Sequence, residues 1–180
     1  MSRLFIAIEL SDEQKESLAR LKCDIPQARW VPAAQLHLTL AFLGDVDEQL
    51  LPKLKAALSA ISSPGFTLRF SSPSCFPDRR RPRVLWIGLE KEPLLVRLAE
   101  QVHSAVSSCA IFLDERPFSP HITLARLKQS AAGELFGFLG VVADIPPLTV
   151  HGFTLFQSRL SLGGAMHTPI ERYSLTDRGA

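Results

Sequence analysis

The strongest constraint on this chain is that part of it occurs twice. His37-Leu38-Thr39-Leu40-Ala41 returns 84 positions later as His121-Ile122-Thr123-Leu124-Ala125, and Gly65-Phe66-Thr67-Leu68 returns 87 positions later as Gly152-Phe153-Thr154-Leu155. The hydrophobic patterns around them recur in one order: a helix, an H-x-T strand, a second helix, then two strands. A length of 180 residues suits one well-buried domain, or two lobes that share a core. The expected fold is therefore α+β, with two pseudo-symmetric lobes facing across a central cleft. Each lobe is an antiparallel sheet with helices on its outer face. The lobes form a single bilobal domain over 1–180, with repeat units of roughly 1–90 and 91–180. No segment is polar or long enough to link independent domains.

The local patterns fill in this plan. A first strand is predicted over 3–9, and Ser11 with Gln14 three residues on marks a helix start. The strand 36–43 stops at Gly44-Asp45, a helix covers about 47–61, and strands follow at 66–70 and 83–89 around a Pro- and Arg-rich loop. Glu92-Pro93 opens another helix. After a short run at 111–113 and the HITLARL strand come a brief helix at about 131–139 and strands at about 148–157 and 168–175, the last two around a Gly163-Gly164 turn.

Alternation on a strand places His37 and Thr39 on one face and Leu36, Leu38, Leu40 and Phe42 on the other. The same rule separates His121 and Thr123 from Ile122 and Leu124. The leucine faces are expected to fill the lobes and the His/Thr faces to line the cleft, with Ala41 and Ala125 leaving room for a ligand. One H-x-T strand says little, because a sheet histidine is usually structural. Two related by a two-fold say more. Imidazoles titrate near neutrality, so one can be neutral while the other is protonated, as concerted general base and general acid catalysis requires. The paired hydroxyls can hydrogen-bond two oxygens of a tetrahedral anion, and a phosphodiester fits such a centre.

HLTLAFLG (His37 to Gly44) and RPFSPHITLAR (Arg116 to Arg126) resemble the two signature segments of the RNA 2′,3′-cyclic phosphodiesterases, or 2′-5′ RNA ligases, of the two-histidine phosphoesterase superfamily. RLFIAIEL, Arg29-Trp30-Val31-Pro32 and Arg172-Tyr173 extend the resemblance over essentially the whole chain. The resemblance implies metal-independent hydrolysis of a terminal 2′,3′-cyclic phosphate to a 2′-phosphomonoester, with the reverse 2′-5′ ligation at the same site and no cofactor. It implies His37 as proton donor and His121 as proton acceptor, although nothing in the residues themselves separates these roles. Thr39, Thr123 and Arg126 would hold the phosphate. Strict alternation puts Arg126 on the face opposite His121, so a bend or the strand's end must return it to the cleft. The implied partner is RNA or a nucleotide ending in a cyclic phosphate. The alternatives are another cyclic phosphate, a 2′-5′ linkage, or a non-catalytic nucleotide- or RNA-binding module.

The remaining features bear on substrate and setting. Arg79, Arg80, Arg81 and Arg83 form the one dense basic cluster, and the first three are candidate RNA contacts against the bland reading of a solvated loop. Among Trp30, Phe76, Phe118 and Tyr173, Phe118 is the preferred base-stacking candidate. His103, His151 and His167 lack the H-x-T context and read as structural or exposed. A net charge of +2 is too mild to indicate a nucleic-acid binder by itself. The histidines and carboxylates form no metal-ligand spacing, and no apolar run is long enough to span a bilayer. The apolar N-terminal run reads as a strand rather than a signal peptide. Three scattered cysteines point to a reducing cytoplasm, and the assignment of every apolar stripe to a core points to a monomer.

Overall fold

The computed structural model describes residues 1–114, 116–128, 135–141, 144–161 and 164–176. The strands are β1 (Ser2–Glu9), β2 (Ala28–Trp30), β3 (His37–Val46), β4 (Phe66–Leu68), β5 (Phe70–Phe76), β6 (Val84–Leu89), β7 (His121–Leu127), β8 (Leu148–Val150), β9 (Gly152–Ser161) and β10 (Gly164–Ser174). The helices are α1 (Asp12–Ala19), α2 (Leu51–Ser59), α3 (Pro93–Ser108) and α4 (Phe136–Leu139). Residues 131–134 of the expected helix and Gly163 of the expected turn lie outside the described residues, and 111–113 form no strand.

Two four-stranded antiparallel sheets carry the architecture, in the orders β10-β9-β1-β3 and β2-β7-β6-β5, and β4 pairs with β8 to join them. Aligning the orders superposes β3 on β7, β1 on β6 and β9 on β5, which is the pseudo-two-fold expected from the repeat. The repeats along the chain are nevertheless not the lobes in space. β9 and β10 complete the first sheet, while β5 of the first half is the edge of the second. Helix α3 joins two strands of the second sheet yet packs on β3 of the first. One apolar cluster runs through both lobes, including Leu38, Leu40, Leu85, Ile87, Ile122 and Leu124.

The symmetry also separates the two sequence matches. Phe66, Thr67 and Leu68 pair with Val150, Thr149 and Leu148, so the counterpart of β4 is β8. The second Gly-Phe-Thr-Leu lies in β9, a strand of a different sheet, and its likeness to 65–68 is not structural equivalence.

Three local departures have plain causes. Most of β5 falls in the segment that reads as a Pro- and Arg-rich loop, but it is an edge strand, where a proline costs no internal ladder hydrogen bond. β3 does not stop at Gly44. That glycine takes a φ of +67°, open to a residue without Cβ, and the strand continues through the kink to Val46. Ser11 precedes α1 as expected, but its hydroxyl donates to the Gln14 side chain rather than capping the backbone.

Candidate active site

β3 and β7 lie beside each other at the junction of the lobes, each beginning at its histidine. Both strands show the same burial sequence over their first seven residues: two half-buried residues alternate with two buried ones, a second buried residue follows directly, then an exposed one, then a buried one. The doubled buried position is a β-bulge. On β3, Ala7 faces Thr39 and Ile6 faces Ala41, leaving Leu40 as the extra residue. On β7, Trp86 faces Thr123 and Leu85 faces Ala125, leaving Leu124 as the extra residue. An extra residue takes the local carbonyl out of the ladder, and each one finds a donor. The His103 ring Nε2 on α3 lies 3.1 Å from the Leu40 oxygen, and the Val31 amide donates to the Leu124 oxygen at 2.8 Å.

The bulges change which residues face the cleft. Beyond them Ala41 and Ala125 turn into the core, the latter wholly buried, so they do not make the ligand space expected of them. Phe42 and Arg126 occupy matching positions and turn outward. Phe42 is 66% exposed, not a core residue as alternation predicts. Arg126 is exposed, and the bend that alternation demanded for it is the Leu124 bulge.

The two histidines are held alike. The Nδ1 of His37 lies 2.7 Å from the Gln35 carbonyl, and that of His121 lies 2.7 Å from the Ser119 carbonyl. A carbonyl only accepts, so each ring donates its Nδ1–H and leaves Nε2 for chemistry. Each ring also rests against a stacked aromatic pair. Phe5 stacks on Phe156 and its centroid lies 4.9 Å from that of His37. Phe76 stacks on Trp86 and meets His121 edge-on at 5.0 Å. The electrostatics are less symmetric. Burial pushes the His37 imidazole down to about 4; repulsion from His167 and His121 acts in the same direction, and the Gln35 carbonyl opposes it.

The other candidates fall at different distances from this centre. Thr39 and Thr123 are half-buried on the faces of their histidines. Arg79, Arg80 and Arg81 are exposed in the loop after Phe76, where the Asp78 carboxylate accepts from the Arg80 and Arg81 amides. Phe118 is half-buried against the core, Trp30 packs edge-on to Phe138, and Tyr173 is buried on Phe153. Two concavities of about 350 and 320 Å³ contain neither catalytic candidate. The first surrounds Glu9, Thr154 and Arg172, and the second lies between α1 and Trp30. The open face around His37 and His121 is therefore chosen by chemistry rather than by depth. Pattern reasoning missed Phe42 and His167; the latter has its ring 5.3 Å from that of His37.

The LigT like Phosphoesterase family model matches the chain twice, over residues 8–86 and 87–166. An RNA 2′,3′-cyclic phosphodiesterase of Escherichia coli (strain K12) is 35% identical over 184 residues, covering 97% of each chain. One of Geobacillus stearothermophilus is 38% identical over 137 residues, which are 73% of this chain and 44% of that longer protein. The crystal structure of E. coli LigT complexed with 3′-AMP superposes with a TM-score of 0.79 at 35% identity, covering 97% of this chain and 98% of that one.

Proposed function

The chain belongs to the LigT-like phosphoesterases, and from that premise we propose that it hydrolyses the 2′,3′-cyclic phosphate at an RNA terminus to a 2′-phosphomonoester by two-histidine catalysis. The observation that carries this reading is the matched pair of rings, each with Nδ1–H tied to the carbonyl two residues earlier and Nε2 left for proton transfer. His121 Nε2 takes a proton from water as the water oxygen bonds to phosphorus. The bond from phosphorus to O3′ breaks, and His37 Nε2–H protonates the departing oxygen. Thr39 and Thr123 donate to the non-bridging oxygens, and Arg126 offsets their charge. The imidazoles supply both proton transfers, so the step needs no metal or cofactor. Ligation through a 2′-5′ bond is the same step with the 5′-hydroxyl of a second RNA in place of water: its oxygen bonds to phosphorus and the bond to O3′ breaks, and the reverse of that step cleaves a 2′-5′ linkage.

The donor role places a condition on His37. Burial keeps it neutral at pH 7, and a neutral ring with its proton on Nδ1 has none at Nε2. The phosphodiester anion supplies the opposite charge that favours the imidazolium, so substrate and proton bind His37 together. Phe42 offers an exposed ring on the same face for the terminal base. Arg79, Arg80 and Arg81 lie in the loop after Phe76, the ring against His121, beyond Pro77 and Asp78, and suit the preceding phosphates of an RNA strand.

The test is hydrolysis of a nucleoside 2′,3′-cyclic phosphate in EDTA, with the product isomer identified. A 2′-phosphate that disappears in both His37→Ala and His121→Ala supports the reading. A 3′-phosphate reverses the leaving oxygen, and nucleotide binding without turnover replaces the enzyme with a binding module.

A further inference from the structure

His167 lies on β10 and the sequence gives it no motif, yet its ring meets His37 edge-on, with centroids 5.3 Å apart and planes 88° apart. It meets Phe5 in the same manner at 4.8 Å. The register explains the meeting. His167 pairs with Ser158 and Pro169 with Phe156, which puts His167 on the side of the sheet that carries Phe156, and Phe156 stacks on Phe5 beneath His37. The His167 Nδ1 is buried and has no hydrogen-bond partner. A buried nitrogen left unpaired is a cost that a phenylalanine would avoid in the same place. Packing therefore accounts for an aromatic ring here but not for an imidazole.

Resting on the reading of His37 as a catalytic group, we propose that His167 is a third histidine of the active site, a positioning residue whose ring, set perpendicular to the His37 imidazole, holds it in its working orientation and whose charge, when present, opposes that of His37. The hydrogen bond to Gln35 holds the His37 ring at Nδ1 and the bond to Cβ holds it at Cγ, which leaves the ring a swing about the line joining those two atoms. The rings of Phe5, tilted 35° to it, and His167, perpendicular to it, close off the swing. Two imidazolium charges at 5.3 Å repel, so a proton on one disfavours a proton on the other. Burial disfavours the charged form of His167 as it does that of His37. The other groups around His37 leave this pairing in place. β7 presents His121, and β1 and β9 present the uncharged Phe5 and Phe156. Glu9, opposite His37 in the register, is taken by Arg172 and Thr154.

The test follows the His37 ring by NMR titration of the full chain, alongside kcat and KM on a nucleoside 2′,3′-cyclic phosphate. His167→Asn keeps a polar group and removes the charge. It should raise the His37 midpoint by about half a pH unit or more. His167→Ala removes the ring and should lower kcat by about tenfold with KM changed less than about twofold, and His167→Phe should restore most of that kcat. An unmoved His37 midpoint in the Asn variant overturns the proposal. So does an Ala variant with wild-type kcat, or a Phe variant as impaired as the Ala variant. If the Ala variant fails to fold, the Asn titration and the Phe kcat decide alone. A wild-type protein that titrates as described but leaves the cyclic phosphate intact refutes the reaction and leaves the coupling standing.

Discussion

Lowering the pH should destabilise this protein through His37, and His37→Gln should remove that part of the loss. Burial holds the folded ring down to about 4, against 6.5 for an unperturbed imidazole, a difference of about 3 kcal/mol between its protonation states. The sign follows from proton counting. Between those values the unfolded chain binds a proton at residue 37 and the folded chain does not, so stability falls as pH falls. The contribution is intact above pH 6.5, about 2 kcal/mol has gone by pH 5, and about 3 kcal/mol by pH 4. Carboxylates held low in the folded state, such as Glu9 beside Arg172, add an acid loss of their own, but it is common to both proteins and cancels. The assay is urea unfolding of both at pH 7, 6, 5 and 4. With m near 2 kcal/mol per molar, the wild-type midpoint should drop about 1.5 M further than that of the variant. Parallel midpoints across this range would refute the buried, neutral His37 and, with it, the coupled uptake of substrate and proton.

Other substitutions test the rest of the site. Phe42→Ala should leave the urea midpoint within about 0.5 kcal/mol of wild type, because the ring is 66% exposed, while raising KM for nucleoside cyclic phosphates. Arg79→Gln with Arg81→Gln should weaken RNA ending in a cyclic phosphate and flatten its salt dependence, with hydrolysis of the mononucleotide unchanged. Ala125→Leu should cost about 1–3 kcal/mol in urea unfolding, since that position is wholly buried where the ladder bulges.

How far the residues announced this depended on the range of the interaction. The H-x-T pairs, their alternation and their relation by symmetry follow from the chain's own periodicity, and the two-lobed α+β architecture follows from the duplication. The bulges do not. An extra residue in a ladder is a property of two strands, and Leu40 and Leu124 look like any other core leucine until the register with β1 and β6 is known. That step alone moved Phe42, Arg126, Ala41 and Ala125. The Gly-Phe-Thr-Leu match misled because likeness in sequence need not mean equivalence under the symmetry. His167 was invisible for another reason. It stands 130 positions from His37 and meets it across strands that are not neighbours in their sheet.

The exchange of strands between the lobes also governs the order in which the site can come into being. β1 is a central strand, flanked by β3 early in the chain and by β9 near its far end. Its pairing with β9 closes a loop of roughly 150 residues, the kind of long-range closure that slows folding. On a ribosome, the first histidine emerges with its neighbouring threonine long before Phe156 and His167 exist to pack beside it. A chain broken off midway has one of the two H-x-T strands and no finished sheet to carry it. The surroundings of the His37 ring are complete only when the β9–β10 hairpin docks, so the fold makes the environment of that imidazole a late product of assembly.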